Sequence, residues 1–213
     1  MIKILKFLGT YLGGLFILVA KTSLISLITL NLTFTYPWMV SAFNIESATG
    51  LTVDVLYMNY RQIINYLNFP WHLTLYMPDF PMSDTGEFHF WEVMVIFRWL
   101  QVIVIVFILW LLIVWQRKLS VFKLFNAFAN LTFIIFGLLL VTMLIDFDFF
   151  FYWFHRAFFN NDYWLFNPST DPVIRALPAE LFMVKGLIMI VLLFLISGLC
   201  KAVHRHKKKN LTS

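Results

Sequence analysis

The chain has 213 residues, 61% of them hydrophobic and only 13% charged, with one cysteine and a formal net charge of +5. A soluble domain carries about 45–50% apolar and about 25% charged residues, so this excess of apolar side chains requires lipid as the solvent. Cys200 alone excludes a disulfide scaffold, 25 Phe with 8 Trp and 8 Tyr exclude disorder, and positive charge sorted by membrane side rather than laid along one patch argues against nucleic acid as a partner.

About 20 predominantly apolar residues are needed for a helix to cross a bilayer. Four stretches supply them: about 7–35, interrupted by Lys21; 93–115; 122–145; and 181–200, with Lys185 near its start. Evenly spaced alternating strands are absent, which excludes an outer-membrane barrel. The expected fold class is an all-α integral membrane protein: four transmembrane helices in a single membrane domain over 1–213, with interfacial helical segments on the extracellular side. Lys3 and Lys6 followed by an apolar run resemble a signal peptide, but the chain stays apolar beyond Lys21 and reads as an uncleaved signal anchor. Apart from Lys21, the spans read as almost purely apolar.

Charge sets the expected orientation. Lys3 and Lys6 precede the first span, Arg117, Lys118 and Lys123 join the second and third, and Lys201, Arg205 and Lys207 to Lys209 follow the fourth. The positive-inside rule places these in the cytoplasm, with both termini. Every acidic residue, from Glu46 to Glu180, falls in or beside the connections 36–92 and 146–180, which are expected to face outward from a bacterial cytoplasmic membrane. The tail from His204 to Lys209 reads as a solvated basic segment against anionic headgroups rather than a metal site.

In the first outer segment, Val53, Leu56, Tyr60, Ile63, Ile64 and Leu67 share a helical stripe, as in an amphipathic helix lying in the interface. His72 to Met77 alternates like a short extended stretch. Asp84-Thr85-Gly86-Glu87 has capping-box spacing for a helix running into the second span, with His89 and Glu92 one turn apart on one face. In the second outer segment, the aromatic run from Phe147 to Phe159 suits a membrane interface. If it is helical, Phe151, His155 and Phe159 stack at four-residue spacing.

His89 and His155 thus fall at equivalent outer depths on different spans, each beside a charged neighbour, Glu92 and Arg156. Histidine is the side chain best matched to proton transfer near neutral pH. A metal would need three or more convergent ligands. His89, His155 and a carboxylate make a weak set without HExxH spacing, so neither metal nor other cofactor is expected. No serine stands in a nucleophile-elbow context, and Cys200 lies on the cytoplasmic side. Acyl chemistry here would use the substrate's own nucleophile. Lys21 and Lys185 are ionisable groups at unusual depth, with a direct role assigned to neither.

The four-span plan, Glu87-Phe88-His89-Phe90-Trp91-Glu92-Val93, the stretch Tyr60 to Leu67, and the run Phe151, His155, Phe159, Asn160, Trp164, Pro168, Asp171 and Pro178 together resemble the lipoprotein intramolecular transacylase (Lit) family of Gram-positive bacteria. The likeness covers nearly the whole chain and is specific in the outer segments. Glu92 stands where the family pattern favours aspartate. The resemblance implies diacylglyceryl-modified lipoproteins as substrates, and transfer of the sn-2 acyl chain to the α-amine of their N-terminal cysteine. For such a transfer the residues fit His155 as base and His89, oriented by Glu92, as acid and carbonyl polariser, with the two roles exchangeable, and Arg156, Asn160 or backbone amides as donors to the oxyanion. Tyr60, Tyr66, Phe151 and Trp164 would line the substrate. The competing readings are a metal-dependent membrane lipid hydrolase and a non-enzymatic assembly or transport subunit. Oligomeric state is not encoded legibly, and a monomer fits.

Overall fold

The computed structural model describes residues 2–117 and 122–210, with side chains described at 11–117, 126 and 128–206. Lys118, and the side chains of Lys3, Lys6, Lys123 and Lys207 to Lys209, lie outside the described residues. All regular structure among the described residues is helical: α1 (Ile2–Asn31), α2 (Thr35–Ala42), α3 (Ile45–Thr49), α4 (Val53–Asn68), α5 (Asp84–Gln116), α6 (Phe122–Ile145), α7 (Phe147–Phe158), a 3-10 turn (Pro172–Arg175) and α8 (Ala179–Asn210). Four are long and apolar enough to cross a membrane, over Tyr11–Asn31, Asp84–Gln116, Phe128–Ile145 and Ala179–His206. The fold class is therefore the expected one, a multi-pass all-α membrane protein. With about 1.5 Å of rise per residue, the 33-residue α5 exceeds the roughly 30 Å hydrocarbon core, so part of it extends beyond the lipid.

The chain divides into two compact units. One comprises 1–27, 100–142 and 187–213. Its apolar contacts centre on Ile17, Ala20 and Phe107, flanked by Phe16 and Trp110. Gly14 lies so close to the Phe128 ring that any Cβ there would collide with it. Inside this unit Lys21 Nζ donates to Thr132 Oγ1 at 2.6 Å and to Ser197 Oγ at 2.8 Å. Thr132 is fully buried and Ser197 nearly so.

The other unit comprises 28–99 and 143–186. Its core gathers the apolar stripe of α4 (Leu56, Tyr60, Ile63, Ile64, Leu67) with Tyr36, Met39 and Val40 of α2 and Val173, Ala176 and Leu177 around the 3-10 turn. Fully burying one such aliphatic side chain contributes about 1.5–3 kcal/mol, so this stripe anchors the short helices. Tyr36 stacks flat on Tyr60, centroids 4.1 Å apart, and donates its hydroxyl to the Ala176 carbonyl. Burial raises the pKa of both tyrosines, with Tyr60 adding to the shift of Tyr36 and Tyr57 to that of Tyr60, so both stay neutral.

Helix ends in this unit have identifiable stops. Lys185 Nζ closes off the end of α1 at Asn31 by donating to Thr29 O at 3.3 Å, to Leu32 O just beyond the helix at 2.9 Å and to Thr35 Oγ1 at 3.0 Å. Asn44 and Gly50 adopt left-handed conformations at either end of α3. The N-cap of α5 is Ser83, one residue before the Asp84 that the capping-box spacing suggests: Ser83 Oγ accepts from Gly86 N at 3.1 Å. Residues 69–83 contain no helix or strand, so the alternation of His72 to Met77 does not form an extended element. Arg98 also breaks the expectation of purely apolar spans. Its guanidinium donates to Tyr66 O at 3.1 Å and Phe69 O at 2.5 Å, occupying carbonyls at the end of α4.

Candidate active site

The histidines meet within the second unit. His89 lies one turn inside the N-terminus of α5 and is 8% exposed. His155 lies in the last turn of α7, and the two ring centroids are 6.0 Å apart. Helix α7 starts where Asp146 caps it, accepting from Phe149 N at 2.9 Å. That start places Phe151, His155 and Phe159 in one column, with Phe151 4.1 Å and Phe159 5.7 Å from the His155 ring. Trp164 stacks on the same imidazole at 4.7 Å and 27°. The His89 ring takes Phe159 and Phe166 edge-on, at 4.7 and 5.6 Å.

The tautomer of His155 follows from its partner. Its Nδ1 is 2.7 Å from the Phe151 carbonyl, which only accepts, so Nδ1 carries the proton and Nε2 keeps its lone pair. Burial pulls the pKa of His155 below the ordinary histidine value, against the raising effect of the Phe151 carbonyl. The ring is thus neutral at physiological pH and basic at Nε2.

His89 Nδ1 faces Glu92 Oε2 across 3.9 Å. Both atoms are buried and have no hydrogen-bond partner among the described residues. The other carboxylate oxygen, Glu92 Oε1, accepts from Asn161 Nδ2 at 2.8 Å.

A second polar cluster ties the start of α5 to the segment after α7. Asp171, 3% exposed, accepts from Ser83 N and Ser83 Oγ, both at 2.8 Å, and from Thr170 Oγ1 at 2.6 Å. Burial alone would raise the Asp171 pKa; the donors from Thr170 and Ser83 outweigh it and hold the carboxyl below its usual value. A Cβ on Gly86 would run into Asp171 Oδ1, so glycine is what permits this close approach. Gly86 precedes His89 by one turn.

Of the residues proposed from sequence, His89, His155, Glu92, Phe151 and Trp164 come together. Tyr60 and Tyr66 sit in the apolar core, 5% and 4% exposed. Arg156 donates to Asp162 at 2.9 Å in an exposed ion pair, and Asn160 is exposed. Asn161 and Phe166 were not singled out by sequence reasoning. Asn161 meets Glu92 from 69 positions away, which no helical period can announce, although its place in an Asn-Asn-Asp turn beside the aromatic run is a usable signal. Among the described residues no three His, Cys, Asp or Glu side chains converge as metal ligands.

Comparison with known proteins gives a consistent likeness. A family model described as "Lipoprotein intramolecular transacylase Lit" matches residues 11–182. The solved structure of the membrane integral lipoprotein intramolecular transacylase Lit from Bacillus cereus is similar at TM-score 0.88 and 27% identity, covering 99% of this chain and 100% of that one. Two structures of the Bacillus cereus protein with a single histidine replaced, by arginine or by alanine, match at TM-scores 0.70 and 0.67 and 28% identity. They cover 99% and 98% of this chain and 99% of each of those. No curated protein matches the sequence.

Proposed function

The chain belongs to the lipoprotein intramolecular transacylase Lit family and is a membrane acyltransferase, and from that premise we propose that His155 and His89 catalyse its acyl transfer as base and acid. The substrate is a lipoprotein whose N-terminal cysteine carries an S-linked diacylglyceryl group. The sn-2 acyl chain moves to the α-amine of the same cysteine, leaving an N-acyl, monoacylglyceryl lipoprotein. Donor ester and acceptor amine share one molecule, so the enzyme's task is to bring them together in a reactive geometry, a gain worth up to about 7–11 kcal/mol in favourable intramolecular reactions.

An α-ammonium has pKa about 7.7–8.0 and must shed a proton, which passes to solvent, before it attacks. The attacking nitrogen then loses a second proton as the C–N bond forms, and this one passes to His155 Nε2. The tetrahedral intermediate collapses with cleavage of the ester C–O bond, and the departing glyceryl oxygen takes a proton from His89 Nε2–H. Glu92 Oε2, 3.9 Å from His89 Nδ1, closes to a hydrogen bond with Nδ1–H when the ring holds the proton it delivers. The same Nε2–H polarises the carbonyl before attack and stabilises the oxyanion. Arg156 and Asn160 are exposed, and Arg156 is engaged by Asp162, so they support the turn after α7 rather than the oxyanion. Phe151, Phe159, Phe166 and Trp164 exclude water and offer the acyl chains an apolar wall. Tyr60 and Tyr66 act through the core beneath it. The site faces the outer leaflet, where exported lipoproteins are anchored.

The observation that carries this reading is the Nδ1–H of His155 held on the Phe151 carbonyl, which frees Nε2 as a base one ring away from His89. The test is fragmentation mass spectrometry of the N-terminal lipopeptide from a diacylglyceryl lipoprotein co-expressed with this chain. Conversion leaves total mass unchanged and moves one acyl chain from glycerol to nitrogen. N-acyl product with wild type and none with His155→Ala supports the assignment. An unmoved chain in both, with both proteins present in the membrane, overturns it.

A further inference from the structure

We propose that Asn161 is a positioning residue that braces both histidines of the pair at once, a role resting on the acid–base reading above. Three bonds leave this residue in three directions. Nδ2 donates to Glu92 Oε1 at 2.8 Å. Oδ1 accepts from Tyr163 N at 3.0 Å, forming an Asx turn. The main-chain carbonyl accepts from Trp164 Nε1 at 2.9 Å. The amide orientation is fixed by chemistry: Oδ1 meets an N–H, so the NH2 end must face the carboxylate.

Each bond leads to one ring. On one side the Asn161 amide holds Glu92 Oε1, which turns Oε2 toward His89 Nδ1. The Oε2 atom has no hydrogen-bond partner of its own among the described residues, so the carboxylate's orientation rests on the Oε1 bond. On the other side the Asx turn directs the Asn161 carbonyl at the Trp164 indole, which is 6% exposed and stacked on His155. The flanking residues Asn160 and Asp162 are exposed, whereas Asn161 is half-buried. A carboxylate in its place would set two like charges against each other; a smaller side chain would free Glu92 to rotate.

The experiment is a double-mutant cycle on the full-length membrane protein, using the lipopeptide assay for kcat and KM. Asn161→Ser keeps an oxygen for the turn and removes the amide donor, so it serves where Asn161→Ala does not fold. With wild-type Glu92, Asn161→Ser lowers kcat about tenfold, the scale of coupling between contacting residues, and leaves KM within about twofold. In the Glu92→Ala background the same substitution costs less than about threefold, because its partner is gone. Asn161→Asp falls below Asn161→Ser through charge repulsion. Equal losses in both backgrounds, or a loss confined to KM, overturn the proposal. Inactive His155→Ala and His89→Ala beside a fully active Asn161→Ser defeat this proposal alone. Active histidine variants defeat the acid–base reading and this inference with it.

Discussion

Two buried polar clusters, one in each unit, are satisfied to opposite degrees. In the unit of 1–27, 100–142 and 187–213, Lys21 ends on two hydroxyls, and Thr132 passes its own proton to the Phe128 carbonyl at 2.9 Å. Each described member of that cluster has a partner. In the unit of 28–99 and 143–186, buried His89 Nδ1 and Glu92 Oε2 face each other without a hydrogen bond, beside a second histidine held in one tautomer. A closed set of hydrogen bonds in an apolar surround fixes how helices pack. An open set stores polar capacity that a reacting group can use, at a cost of about 1–3 kcal/mol per unbonded buried atom. The contrast sets a satisfied polar cluster against the one proposed to be reactive, without reference to any relative.

The largest effect tests the open set. His155→Ala or His89→Ala lowers the rate of N-acyl product formation by about 10²- to 10⁴-fold, the usual worth of a general acid or base, with both variants still folded in detergent by thermal unfolding. Unchanged rates erase the distinction between the two clusters. Next comes the clamp on the start of α5. Asp171→Ala strips an acceptor from Ser83 and Thr170 and lowers stability by about 2–3 kcal/mol, as expected for hydrogen bonds to a charged group. It also slows transfer, because the turn carrying His89 loses its tie to the segment after α7. Thermal unfolding and the lipopeptide assay read both consequences.

The closed set predicts the reverse signature. Thr132→Val removes one of the acceptors of Lys21 and lowers stability by about 1–2 kcal/mol, with kcat unchanged within about twofold. A catalytic loss at constant stability sinks the structural reading of Lys21.

These two clusters were unequally legible in the sequence. Four spans follow from apolar run length alone, since lipid leaves few alternatives. The column Phe151, His155 and Phe159 follows from four-residue spacing once Asp146 caps the helix. Lys21 is conspicuous by hydropathy, yet Thr132 and Ser197, its partners on other helices, carry no local signal. Arg98 was hidden inside an apolar run, and its targets are main-chain carbonyls at the end of α4 that no pattern reveals. Asn161 and the Ser83–Asp171 clamp depend on tertiary contacts 69 and 88 residues apart. Local chemistry also shifted one cap: Ser83 and Asp84 are both good N-cap residues, and the buried Asp171 beside Ser83 is the tertiary contact that distinguishes them.

The smallest effect is in the pH profile, and its direction follows from burial. His155 has a pKa below the ordinary 6.5 because its surroundings disfavour the imidazolium. The folded protein therefore binds fewer protons at this site than the unfolded chain as pH falls through that value. Stability contributed by the neutral ring is present above about pH 6.5 and is lost on acidification toward the folded-state pKa. For activity the same shift moves the acid limb of kcat, measured with the lipopeptide assay, below pH 6.5, because the base at Nε2 stays unprotonated further into acid. Trp164→Leu removes the indole stacked on the ring and admits water, so its acid limb moves back up toward 6.5 by a fraction of a unit. A limb that stays put in this variant assigns the low pKa to something other than aromatic burial. One that sits above 6.5 in wild type removes His155 as the base.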